Sequence, residues 1–120
     1  MAVDRLLPTA EGAELVELVR EIAEAELAPR AAADETAGRF PRDVFDTLGT
    51  AGVLGLPFPE RLGGSGQPYE VYLQALEEIA RVWMSVGIGV SVHVMSLGPL
   101  EDFGTPEQQR ALLPPLIAGD

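Results

Sequence analysis

Gly87-Ile88-Gly89-Val90-Ser91-Val92-His93-Val94 is the stretch on which the fold class turns. Ile88, Val90, Val92 and Val94 alternate with small or polar residues. A period of two with β-branched side chains matches a half-buried strand. Yet Gly87, Gly89 and Ser91 would also let a buried helix approach its neighbours closely, and the run on to Phe103 is long enough for several helical turns. Pattern alone leaves both readings open.

The flanks are plainer. Upstream, Pro68 opens the clearest helix, its fixed φ suiting a first turn. Tyr69, Tyr72, Leu73, Leu76, Ile79, Ala80 and Trp83 fall on one stripe, read as core, with Glu70, Gln74, Glu77, Glu78 and Arg81 outside it. Downstream, Thr105-Pro106-Glu107-Gln108 has the form of a capping box, and Leu112, Leu113, Leu116 and Ile117 supply a buried side strained by Pro114 and Pro115.

Further out, the first eight residues read as a loose arm, with Thr9 as an N-cap and Glu11 in the first turn. Residues 1–12 are taken as the arm and residues 13–120 as the domain. Leu15, Leu18, Val19 and Ile22 form the expected core face of a first helix, opposite Glu14, Glu17, Glu21 and Glu24. Residues 31–38 read as its frayed end or a linker after Pro29. A further helix from Pro41 places Val44, Phe45, Leu48 and Ala51 inward and can end at Gly52 or Gly55. Residues 56–68 have no period and read as a loop.

Composition narrows the function classes. The 120 residues are 47% apolar, enough for one folded domain. There is no cysteine and a single histidine, which excludes a disulfide framework, a thiolate metal site and most zinc sites. No leader and no unbroken apolar span is recognisable, so a cytoplasmic location is expected. The net charge of −11 and the eight basic residues, all arginine, argue against nucleic acid and anionic membranes, which need concentrated positive charge.

Candidate chemistry is sparse. Leu62-Gly63-Gly64-Ser65-Gly66 lacks the Gly-Lys-Ser/Thr ending of a phosphate loop and reads as a turn. Glu77 and Glu78, like Glu101 and Asp102, are adjacent and would diverge on a helix. His93, inside an apolar run, is either a core residue bonded to a carbonyl or carboxylate, or a ligand-facing group. No base, nucleophile or metal site can be assembled, so the chain reads as one wall of a larger enzyme's substrate site.

Several motifs then line up. Glu24-Ala25-Glu26-Leu27-Ala28-Pro29-Arg30, Phe40-Pro41, Gly52-Val53-Leu54-Gly55-Leu56 and Pro59-Glu60-Arg61-Leu62-Gly63-Gly64-Ser65-Gly66 follow one another. Leu76-Glu77-Glu78-Ile79-Ala80-Arg81, Val92-His93, Leu97, Pro99 and Phe103-Gly104-Thr105-Pro106-Glu107-Gln108-Gln109 come next, and Leu113-Pro114-Pro115-Leu116-Ile117-Ala118-Gly119-Asp120 ends the series. Their order and spacing over residues 13–120 resemble the N-terminal helical domain of the acyl-CoA dehydrogenases. Leu62, where an aromatic is common, and the bulky Trp83 depart from that pattern.

The resemblance implies an all-α fold, an orthogonal or up-down bundle of about five helices, and so a helix at residues 87–94. It implies a complete FAD-dependent flavoprotein that oxidises the Cα–Cβ bond of an acyl-CoA thioester in fatty acid metabolism, assembled as a homo-oligomer. In the family, the base and most flavin contacts lie in the middle β domain and the C-terminal helical domain. This chain is expected to stop before them, to be inactive alone and to bind little or no FAD. The helix around residues 86–100 resembles the one lining the acyl pocket, with Val90, His93, Val94 and Leu97 facing the acyl chain and His93 setting the depth or polarity of its closed end. An exposed apolar patch is expected where the middle domain docks. The alternatives are a stand-alone helical interaction module, an inert remnant, or a part of an acyl-CoA oxidase or flavin monooxygenase.

Overall fold

The computed structural model describes residues 4–120. Its α-helices are α1 Ala10–Ile22, α2 Ala31–Ala37, α3 Arg42–Thr50, α4 Tyr69–Val82, α5 Met84–Phe103 and α6 Pro106–Ala118. No strand occurs among the described residues, and the fold is all-α. α1 packs on α4, α4 on α5 and α5 on α6, so the long central helix is held from both flanks.

The stretch at residues 87–94 lies inside α5. Its glycines mark where neighbours press in. A Cβ on Gly87 would fall 2.8 Å from the Ala80 Cβ of α4, and one on Gly89 would fall 2.6 Å from the Phe45 ring of α3. Only a residue without a side chain permits such approaches. The alternation of valine with small residues therefore records close packing around a helix, and not the pleat of a strand.

Caps fix where the helices begin and end. Thr9 Oγ1 accepts from the Gly12 amide at 3.0 Å, and Thr105 and Gln108 bond reciprocally at 3.1 and 2.9 Å as a complete capping box. Gly52, and not Gly55, takes the left-handed conformation after α3, at φ 82°.

Residues 31–38 are not a frayed end. They form α2, which makes six α-helices where about five were expected. The reason is electrostatic and local. Asp34 is buried yet bonded by Arg30 at 2.7 Å and by Arg39, while Gly38 closes the helix at φ 63°. Between α1 and α2 the chain passes through a wider turn at Ala23–Leu27 that buries Ala23 and Leu27.

Two helices keep most of their expected inward residues, with Val19, Tyr72, Ile79 and Trp83 buried and Leu15, Ile22 and Leu76 packed on the core, but turn some large side chains outward. In α1 the core residues are Val16 and Val19, and Leu18 is exposed. In α4 they are Val71, Tyr72, Ala75 and Ile79, while Tyr69 and Leu73 lie outside. Small residues decide both cases, because a Cβ on Gly12 would meet Val71 at 2.9 Å, so α1 and α4 touch through their slimmest edges.

That contact also buries Glu78, expected outside, at 2% exposure. Its carboxylate accepts from Arg5 at 2.7 and 2.9 Å, Arg20 at 3.0 Å and Arg81 at 3.2 Å. The first eight residues are accordingly not loose throughout. Arg5 is clasped by Glu77 and Glu78, Gln74 donates to the Leu6 carbonyl, and Leu7 packs on the core. Residues 1–3 of the expected arm lie outside the described residues.

Candidate functional site

Helix α5 has two apolar faces with different fates. Val86, Val90, Val94 and Leu97 point into the core, none more than 3% exposed. Met84, Ile88, Val92 and Met95 form the other stripe, and each is more than half exposed. Their spacing of four, four and three residues puts them on one line along the helix. Scattered exposed apolar residues are ordinary, but an aligned row is the mark of a surface meant to be covered.

Beside this stripe runs a groove of about 500 Å³ between α5, the start of α3 and the end of α6. Phe40, Phe45, Ile88, Val92, His93 and Leu116 line it. Gly89 lets the Phe45 ring pack directly on α5 along one side of it. Apolar residues make up most of the lining, with Arg42, Ser85, His93 and Asp120 as its polar members, and such a mixture is usual for a ligand site.

His93 sits half-buried at the groove's edge with Nε2 2.8 Å from the Leu116 carbonyl oxygen. A carbonyl can only accept, so Nε2 carries the proton and donates. Nearby, Arg42 donates to the Gly119 carbonyl at 2.7 Å. The Leu116 carbonyl also accepts from the Gly119 amide at 3.2 Å, so the two side-chain bonds tie the C-terminal end of α6 to α5 and α3.

The expected site set divides accordingly. His93 reaches the groove; Val90, Val94 and Leu97 do not, being packed in the core beneath it. Phe45, expected in the core, and Phe40, Ile88 and Val92, given no site role by the sequence, line it instead. The row at positions 84, 88, 92 and 95 was the available signal, masked by the stronger period of two.

Phosphate has no place here. Seven of the eight arginines pair with carboxylates, and Arg61 rests on Gln109. The glycine loop offers nothing either. The amides of Gly64, Ser65, Gly66 and Gln67 are already donated to the carbonyls of Pro59, Gly55, Phe58 and Leu56. Among the described residues no cluster could hold a metal ion. Among the described residues, neither the paired arginines nor the glycine loop presents a preformed cradle for the phosphates of FAD or coenzyme A.

The family model described as acyl-CoA dehydrogenase, N-terminal domain matches residues 9–120. This chain belongs to that family. The acyl-CoA dehydrogenase domain is 35% identical over 113 residues to an acyl-CoA dehydrogenase of Bacillus subtilis, covering 93% of this chain and 30% of the relative. It is 39% identical over 107 residues to the human mitochondrial short-chain specific acyl-CoA dehydrogenase, covering 88% and 26%. The butyryl-CoA dehydrogenase of Megasphaera elsdenii superposes with a TM-score of 0.88 at 30% identity, over 98% of this chain and 31% of the other. The chain thus spans about a quarter to a third of the relatives it matches. No helix among the described residues is long and apolar enough to cross a membrane.

Proposed function

We propose that this domain supplies one wall of the acyl site in a flavin-dependent acyl-CoA dehydrogenase, which oxidises the Cα–Cβ bond of an acyl-CoA thioester. The observation that carries the reading is the aligned, uncovered row Met84, Ile88, Val92 and Met95 beside an apolar groove. The wall is accordingly this outer row, in place of Val90, Val94 and Leu97. His93 acts from the rim by holding the end of α6.

The groups that hold FAD and the phosphates of coenzyme A lie elsewhere in such an enzyme, since seven of this domain's eight arginines are paired with its own carboxylates. That division of labour also reconciles an acidic domain of net charge −11 with anionic ligands. The domain encloses the uncharged tail and leaves the charged head to its neighbours.

The test is a chimaera in which this chain replaces the matching domain of the Bacillus subtilis relative. Val92→Trp should shift the preference in kcat/KM toward shorter acyl thioesters, whereas Val90→Ala should lower thermal stability and leave the preference in place. A chain-length profile unmoved by Val92→Trp, with flavin bound and activity retained, refutes the assignment of the wall.

A further inference from the structure

A second cavity, of about 310 Å³, lies where the elbow between α2 and α3 meets the start of α5. Phe40, Phe45, Trp83 and Val86 give it an aromatic and apolar lining. Phe40 is 69% exposed, yet its ring stacks on Phe45 with centroids 5.3 Å apart and 4° between planes. The pair stands as a flat wall open to solvent.

Asp34, Glu35 and Arg39 are the charged residues at its edge. Asp34 and Arg39 neutralise one another, and Arg30, shared between Asp34 and Asp43, is balanced by Asp43. Glu35 has no cationic partner among the described residues. It accepts from Trp83 Nε1 at 2.7 Å, and the Ser85 and Trp83 hydrogen bonds hold its carboxyl below the usual range. The slot therefore carries one fixed, uncompensated negative charge beside aromatic faces.

We infer that this slot receives a cationic side chain, an arginine or lysine on a basic surface of a partner polypeptide, with its charge on Glu35 and its stem over the Phe40–Phe45 wall. Aromatic faces carry negative quadrupole density, so they attract cations and disfavour anions. A single carboxylate is too few ligands for a calcium or magnesium ion. Arg39 at the slot's edge is taken up by Asp34, and no other arginine of the described residues lines the slot, so the cation comes from outside. A net charge of −11 favours a basic partner and speeds the encounter. The slot shares the Phe40–Phe45 wall with the groove at α6, but Glu35, Trp83 and Val86, which give it its charge and its reporter, lie outside that groove.

Trp83 is the sole tryptophan, so its indole N–H signal and its fluorescence report on the slot directly. The full chain is titrated with n-butylguanidinium, with the neutral isostere n-butylurea, with butyrate, and with a glycine-flanked single-arginine peptide. Butylguanidinium should move the Trp83 indole and Gly89 amide signals saturably. Butylurea should bind about tenfold more weakly, a difference of about 1.4 kcal/mol, and butyrate should leave these signals unmoved. The peptide should bind at least as tightly as butylguanidinium. Glu35→Gln, which keeps an acceptor for the indole, should abolish the preference for charge, and Phe40→Ala should weaken both ligands. Equal binding of the guanidinium and the urea overturns the inference. So does a preference that survives Glu35→Gln, or a peptide that fails where the free cation binds.

Discussion

Replacing Glu78 by glutamine puts a number on the ion-pair hub that ties the N-terminal segment and α1 to α4. Burial alone would raise this carboxyl, but bonds from Arg20, Arg5 and Arg81 outweigh it and bring the pKa down from 4.5 to about 2. The depression is a stability contribution of about 3 kcal/mol at neutral pH. Arg5, Arg20 and Arg81 keep second partners in Glu77, Glu17 and Glu24, so the substitution does not strand them. Because the folded pKa lies below the unfolded one, the contribution is complete above about pH 4.5 and fades as pH falls toward 2. Urea unfolding of wild type and Glu78→Gln is the assay. With a slope of about 2 kcal/mol/M, the midpoint at pH 7 should fall by about 1.5 M. Repeated at lower pH, the gap should narrow steadily and vanish near pH 2. A gap that stays constant with pH, or none at pH 7, refutes the claim that the buried carboxylate is held ionised by its arginines.

Two further predictions use the glycines and the histidine. Gly89→Ala forces a Cβ to 2.6 Å from the Phe45 ring and should cost about 1–3 kcal/mol. Gly98→Ala meets no neighbouring element within 4 Å but places a Cβ before Pro99, so it should change stability by less than about 1 kcal/mol, and thermal melts of the pair decide it. His93→Ala removes the bond to the Leu116 carbonyl and should cost about 1 kcal/mol. Amide exchange at Gly119 and Asp120 should quicken selectively, and an unchanged rate there would show that His93 does not hold the end of α6.

Much of the fold was legible because local chemistry announces itself. Thr9, Thr105 and Gln108 cap where their hydrogen-bonding groups dictate, and Gly52 turns where a left-handed residue is needed. α2 was not legible, since nothing local in residues 31–38 reveals that Arg30, Arg39 and Asp34 converge. The inward faces of α1 and α4 were misjudged only in part, for a related reason. Side-chain size suggested Leu18, Tyr69 and Leu73, but burial follows how closely helices approach, and Gly12 sets that distance.

The site divides along the same line. Order and spacing of motifs in the sequence were sufficient to place the chain in its family and to direct attention to α5 and His93. Which side of α5 is exposed and which is core lay beyond the sequence, because valines at 90 and 92 are chemically alike. Tertiary packing separates them: Val90 is sealed among core side chains, while Val92 opens on the groove that Phe45 and Gly89 also line. The direction of the His93 ring is decided in the same way, by a carbonyl 23 residues further along the chain. Helix starts and family membership are written in neighbouring residues; the face of a helix is written in what packs against it.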